Sequence, residues 1–161
     1  MNKIAVYAGS FDPFTNGHLS IVKEASELFD TVYICIAKNS EKKRFVNENQ
    51  MGSAITSCLT SMGITNCVVV TTQGMIADFC KEHGVDYLVR GLRNTSDYLY
   101  EENIAKINYE LNPKLKTIYF RAINETVSSS MVREFLKYDK PVDNYVPKEV
   151  LKILLEEMSE R

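Results

Sequence analysis

Four short groups of residues in this chain have the types and spacing to do chemistry, and all four suit the handling of anions. The first is Gly9-Ser10-Phe11-Asp12-Pro13-Phe14-Thr15-Asn16-Gly17-His18. Gly9 lets backbone come close to a ligand, and Ser10 supplies a hydroxyl donor. Thr15 or Asn16 is placed to cap a helix, and His18 in its first turn faces the positive helix end where a phosphate would sit. An isolated Gly-x-x-x-His reads equally well as a turn followed by a surface histidine. The second group, Lys38-Asn39-Ser40-Glu41-Lys42-Lys43-Arg44-Phe45, is a basic cluster in a chain of net charge −2. Such a run is ordinarily a solvated loop, and it becomes an anion site only at a ligand-binding edge. Lys42 is the expected phosphate contact, with Lys43 and Arg44 as less specific helpers.

The third group is Arg90-Gly91-Leu92-Arg93, where two forked donors flank a glycine whose backbone can bend towards phosphate oxygens. Asp97 and Tyr98 just beyond it read as well as a helix cap that neutralises the arginines. The fourth runs from Asn124 to Glu134 and holds Ser128-Ser129-Ser130. A serine run before an apolar periodic segment is a helix N-cap, and the same free amides and hydroxyls form an anion cradle.

The elements that must position these groups are legible from apolar spacing. Strand-like runs at Ile4–Ala8, Val32–Ala37, Cys67–Thr71, Tyr87–Val89 and Thr117–Phe120 alternate with helical segments. Those segments are Gly17–Phe29, Glu48–Met62, Met75–His83, Tyr98–Leu111, Ser129–Tyr138 and Pro147–Met158, the last with Pro in its first turn. The alternation predicts a single α/β domain over 1–161, a doubly wound parallel sheet of five strands with helices on both faces. In such a sheet the ligand lies beyond the carboxyl ends of the strands, so the loops after Ala8, Ala37, Thr71, Val89 and Phe120 converge. Each of the four groups begins at such a loop.

Composition narrows the classes. The 161 residues are 45% hydrophobic and 25% charged, enough for one core without staples. A slightly acidic balance argues against a general nucleic-acid binder, whose basic footprint would dominate the domain. No apolar run approaches a membrane span and no secretory leader pattern is present, so no membrane association is expected. Cys35, Cys58, Cys67 and Cys80 lack metal or redox spacing and read as free thiols, which fits a reducing cytoplasm.

The Gly9–His18 decade resembles the signature of the nucleotidyltransferase superfamily, whose fold is Rossmann-like, and nearly the whole chain resembles the phosphopantetheine adenylyltransferases. The specific part is Arg90-Gly91-Leu92-Arg93 with Asp97 and Tyr100-Glu101, together with Lys42. The resemblance implies transfer of AMP from ATP to 4′-phosphopantetheine, giving dephospho-coenzyme A and pyrophosphate, with Mg²⁺ as cofactor. It implies that ATP meets Ser10, Phe11, His18, Gly91, Leu92, Arg93, Glu101 and the stretch Asn124, Glu125, Thr126, Val127, Ser128, Ser129 and Ser130. It assigns 4′-phosphopantetheine to Ser10, Lys42, Ile76 and Arg90, transition-state stabilisation to His18, and a homohexamer to the assembly. The chain departs from the family pattern at Ala8, where the turn usually has Pro, and at Glu48-Asn49-Gln50, where a basic residue is missing. It also lacks the usual aromatic at Asn124 to Thr126. Two other readings stand beside this one: a nucleotidyltransferase for another acceptor, such as nicotinamide mononucleotide or glycerol phosphate, and a non-catalytic nucleotide or coenzyme A binding module.

Overall fold

The computed structural model describes residues 2–122 and 127–161. Strands β1 (Ile4–Gly9), β2 (Thr31–Ala37), β3 (Cys67–Thr72), β4 (Tyr87–Leu92) and β5 (Lys116–Arg121) form one parallel sheet in the order β3-β2-β1-β4-β5. Helices α1 (Asn16–Leu28), α2 (Glu48–Ser61), α3 (Ile76–His83), α4 (Thr95–Leu111), α5 (Ser129–Lys137) and α6 (Lys148–Ser159) complete the chain. The strand order reverses at β1. The chain moves outward from β1 through β2 to β3, then returns to β1's other edge at β4, so the β1–β4 boundary is the switch point where such sheets open a crevice.

Side-chain alternation along β1 divides the core. Ala5 and Tyr7 join the larger cluster with Leu19, Ile21, Val22 and Ala25 of α1, Met51 and Ile55 of α2, Val132 of α5 and Leu154 of α6. Val6 and Ala8 point to the opposite face and pack with Phe79 and Cys80 of α3 and with Leu88 and Leu115. Both faces of the central strand are thus covered, which explains its unbroken apolar sequence.

The structure extends several expected elements. β4 runs on through Arg90, Gly91 and Leu92, which were expected in the following loop; they pair with Tyr119, Phe120 and Arg121 of β5. Apolar content stops at Val89 because the strand end enters a polar crevice, while the ladder continues. α4 begins at Thr95 rather than Tyr98, with the Asn94 side chain accepting the Asp97 N–H at 2.9 Å. Pro147 precedes α6 as its N-cap residue instead of opening its first turn. Leu154 of α6 is fully buried, whereas Leu155 beside it and Tyr98 and Leu99 of α4 are exposed.

Candidate active site

A cavity of about 350 Å³ opens at the carboxyl ends of β1 and β4. Ala8, Gly9, Ser10 and Phe11 form one wall, Arg90, Gly91, Arg93, Asp97 and Glu101 another, and Thr15, Gly17, His18 and Val127–Ser130 close it. The cavity therefore stands at the switch point and draws on three of the four groups singled out by sequence.

His18 is the third residue of α1 and completes a capping box usually closed by Glu or Gln. The Thr15 backbone N–H donates to His18 Nδ1 at 3.0 Å, and the Thr15 Oγ accepts the His18 N–H at 3.3 Å. Because Nδ1 is an acceptor, the ring proton sits on Nε2, the nitrogen left for the cavity. Phe14 stacks beside the ring with centroids 5.6 Å apart, and Phe11 meets it edge-on at 5.0 Å. Burial, reinforced by the charges of Arg90 and Arg93, pushes the imidazole pKa down to about 4. At neutral pH His18 is thus a fixed, uncharged donor with one tautomer.

The Ser10–Phe14 turn that carries this arrangement is held from outside. Ser129 Oγ donates to the Pro13 carbonyl at 2.7 Å, and Arg133 Nη1 donates to the Asp12 carbonyl at 2.5 Å, so the start of α5 is pinned on the turn. Phe11 adopts a left-handed backbone with φ of 46°, a conformation that costs on the order of 1–3 kcal/mol and persists only where packing enforces it. Its buried ring supplies that packing against Tyr7 and Phe14. The same ring explains Gly9, where an added Cβ would stand 3.2 Å from Phe11. Room for an aromatic neighbour, more than ligand approach, requires that glycine. Gly91 likewise lies in a strand, and its missing side chain leaves space for Ile21 at 3.2 Å.

Arg90 and Glu101 form a bidentate pair across the cavity wall. Arg90 Nε and Nη2 donate to the two Glu101 carboxylate oxygens at 2.6 and 2.7 Å, while Nη1 donates to the Ala8 carbonyl at 2.7 Å. Three of the five guanidinium N–H groups are taken, leaving two to meet an anion. Arg93 is tethered to Asp97 by its backbone N–H at 2.9 Å and its Nε at 3.2 Å. Asp97 therefore has the structural role that sequence allowed for it, and Arg93 keeps its Nη groups for a ligand. Burial holds the Tyr7 phenol protonated, well above its ordinary range.

Ser10, Phe11, His18, Gly91, Arg93, Glu101, Arg90 and Val127 to Ser130 thus come together around one cavity. Leu92, Lys42 and Ile76 are not on its wall. Leu92 closes β4, Lys42 is exposed on the loop after β2, and Ile76 opens α3 and packs against the smaller core cluster. Asn124, Glu125 and Thr126 lie outside the described residues. Arg44, expected to help bind anions, spends its guanidinium on the backbone carbonyls of Ser10, Phe11 and Val46. Tyr7, Thr15 and Ile21 line the cavity without having been singled out as ligand-facing; only the register of β1 and the periodicity of α1 could have pointed to them. Among the described residues, no three His, Cys, Asp or Glu side chains are grouped to hold a metal ion. The two carboxylates among the described residues of the cavity wall, Asp97 and Glu101, are each hydrogen-bonded to an arginine.

The profile of the cytidylyltransferase-like family matches residues 6–135. The chain is similar to proteins of Streptococcus pyogenes serotypes M2 and M1, each described as phosphopantetheine adenylyltransferase, with 41% identity over 164 aligned residues covering all of this chain and 99% of theirs. In fold it is similar to a bifunctional NMN adenylyltransferase/ADP ribose pyrophosphatase from Francisella tularensis, with a TM-score of 0.74 and 17% identity over 99% of this chain and 50% of that one. A solved structure from Vibrio parahaemolyticus superposes with a TM-score of 0.71 and 19% identity, covering 98% of this chain and 94% of that one. Among the described residues, no helix is long and apolar enough to cross a membrane.

Proposed function

The chain belongs to the cytidylyltransferase-like family and, within it, to the phosphopantetheine adenylyltransferases, and from that premise we propose that it transfers AMP from ATP to 4′-phosphopantetheine, releasing pyrophosphate and dephospho-coenzyme A. The observation that carries this reading is the neutral Nε2–H donor of His18 set among Arg90, Arg93 and the α5 N-terminus around one cavity.

This donor set suits a direct transfer. The acceptor phosphate is already an anion, so its oxygen attacks the α-phosphorus of ATP without a base, and pyrophosphate leaves with the bond electrons. Among the described residues no serine of the cavity is hydrogen-bonded to a base that would make it a nucleophile. What the protein must supply is position and charge neutralisation. His18 donates to an α-phosphate oxygen as negative charge builds there. Arg93 and the amides at Val127–Ser130 take the ATP phosphates, beside Ser10, Phe11, Gly91, Leu92 and Glu101. The two free N–H groups of Arg90, with Lys42 and Ser10, take the acceptor phosphate, and Ile76 meets the pantetheine arm. Asn124 to Thr126 complete the ATP contacts. Mg²⁺ as cofactor would supply further neutralisation of phosphate charge beside Arg93 and Lys42.

We also place the chain in a homo-oligomer, a hexamer, within a reducing cytoplasm. α4 supports assembly: it buries only Glu101 and Asn108, and exposes Leu99, Ile107 and Tyr109. Four free cysteines support the compartment. The experiment that tests the activity is pyrophosphate release from ATP or CTP with each of three acceptors: 4′-phosphopantetheine, nicotinamide mononucleotide and glycerol phosphate. Turnover with ATP and 4′-phosphopantetheine alone is expected. Preference for another pair, or binding without turnover in every pair, refutes the assignment.

A further inference from the structure

The loop after β2 and the turn after β1 are cross-bridged in both directions. From the turn, the Asp12 carboxylate accepts the backbone N–H groups of Phe45 at 2.7 Å and Val46 at 3.0 Å. From the loop, Arg44 Nη1 donates to the Ser10 carbonyl at 2.6 Å and Nη2 to the Phe11 carbonyl at 3.3 Å. Its Nε returns to the loop's own Val46 carbonyl at 2.8 Å. The Arg44 side chain is only 11% exposed, and its charge is balanced by Asp12 Oδ1 at 3.9 Å and Glu48 Oε1 at 3.8 Å. Arg161 adds a clip on the outside, its guanidinium 4.1 Å over the Phe45 ring.

These bonds have an asymmetric effect. The turn is anchored independently by Ser129, Arg133 and the α1 cap, so it keeps its shape without Arg44. Among the described residues, the loop's remaining hydrogen bonds to the turn go to Asp12 alone. Ser10 lines the cavity and Lys42 stands two residues before Arg44, so the guanidinium fixes where a Lys42 contact lies relative to Ser10.

We propose that Arg44 is a positioning residue, which registers the Lys42 loop on the fixed Ser10–Phe11 turn so that acceptor and donor phosphates meet in line. The proposal rests on the adenylyl-transfer reading above. A displacement of about 1 Å at a reacting centre can cost two orders of magnitude in rate, so small loop shifts are sufficient. A lysine cannot replace the fork, because a point ammonium cannot reach three carbonyls at once.

The test compares Arg44→Met and Arg44→Lys in two backgrounds, the unaltered chain and Lys42→Ala, with kcat and both KM values measured for ATP and 4′-phosphopantetheine. In the unaltered background, Arg44→Met is expected to lower kcat roughly 10- to 100-fold while the KM for ATP stays within about threefold. Arg44→Lys is expected to restore little. In the Lys42→Ala background the same substitutions are expected to cost less than about threefold, because the contact they misplace is gone. Equal losses in both backgrounds overturn the proposal, as does full kcat in Arg44→Met. Should Arg44→Met fail to fold, Arg44→Lys carries the same comparison. An unaltered chain with no turnover refutes the parent reading instead, and is recognised before any variant is examined.

Discussion

The depressed imidazole of His18 makes stability depend on pH in a way that can be isolated. A histidine has an ordinary pKa near 6.5, and the folded value is about 4, so the unfolded chain binds the proton more readily. The contribution is complete above pH 6.5 and is lost as pH falls towards 4. Linkage over that interval gives a loss of about 2 kcal/mol at pH 5 and about 3 kcal/mol at pH 4. His18→Gln is the matched control, because a glutamine oxygen can accept the Thr15 N–H in the same capping box while carrying no titrating group. The assay is urea unfolding of both proteins between pH 7.5 and 4.5 at one protomer concentration. The difference between them should change by about 2.5 kcal/mol across that range, to the disadvantage of the histidine protein. Parallel pH profiles would refute both the buried neutral imidazole and the cap that defines its tautomer.

Other substitutions give separate readouts. His18→Ala should lower kcat by about two to three orders of magnitude with ATP affinity nearly unchanged, the pattern for loss of a transition-state donor, measured by steady-state kinetics and ATP titration. Glu101→Gln removes the charge that pairs Arg90, and should destabilise the fold by about 3 kcal/mol in urea unfolding and raise the KM for the acceptor. Gly91→Ala drives a methyl into Ile21 and should cost about 1–3 kcal/mol. Ile21→Val in the same chain should recover part of that loss, since the atoms met at 3.2 Å belong to the Ile21 side chain.

The sheet was legible because its inner strands β1 and β2 are largely buried and read as unbroken apolar runs, as in Val32–Ala37. The cavity was legible because strand ends in such a sheet point to one edge. Arg90 and Gly91 were misplaced into a loop for the converse reason: a strand that ends in a polar crevice loses its hydrophobic signal before its ladder stops. His18 could be placed in the first turn of a helix from spacing, but its neutrality depends on Thr15, Arg90 and Arg93 meeting it in space. Arg44 shows the limit most clearly. In sequence it is one more cation in a basic run, and only the fold brings the carbonyls of Ser10 and Phe11 to it.

Attack by an acceptor phosphate oxygen on the α-phosphorus is the central claim, and oxygen labelling tests it in one reaction. 4′-Phosphopantetheine carrying ¹⁸O at all four oxygens of its phosphate is incubated with ATP, Mg²⁺ and the protein, and the product is weighed by mass spectrometry. The account predicts dephospho-coenzyme A that retains every label, because an acceptor oxygen becomes the bridge to the α-phosphorus and none is expelled. Product lacking one label would show that the acceptor phosphorus was attacked instead, and would contradict the roles given to His18, Arg90 and Arg93.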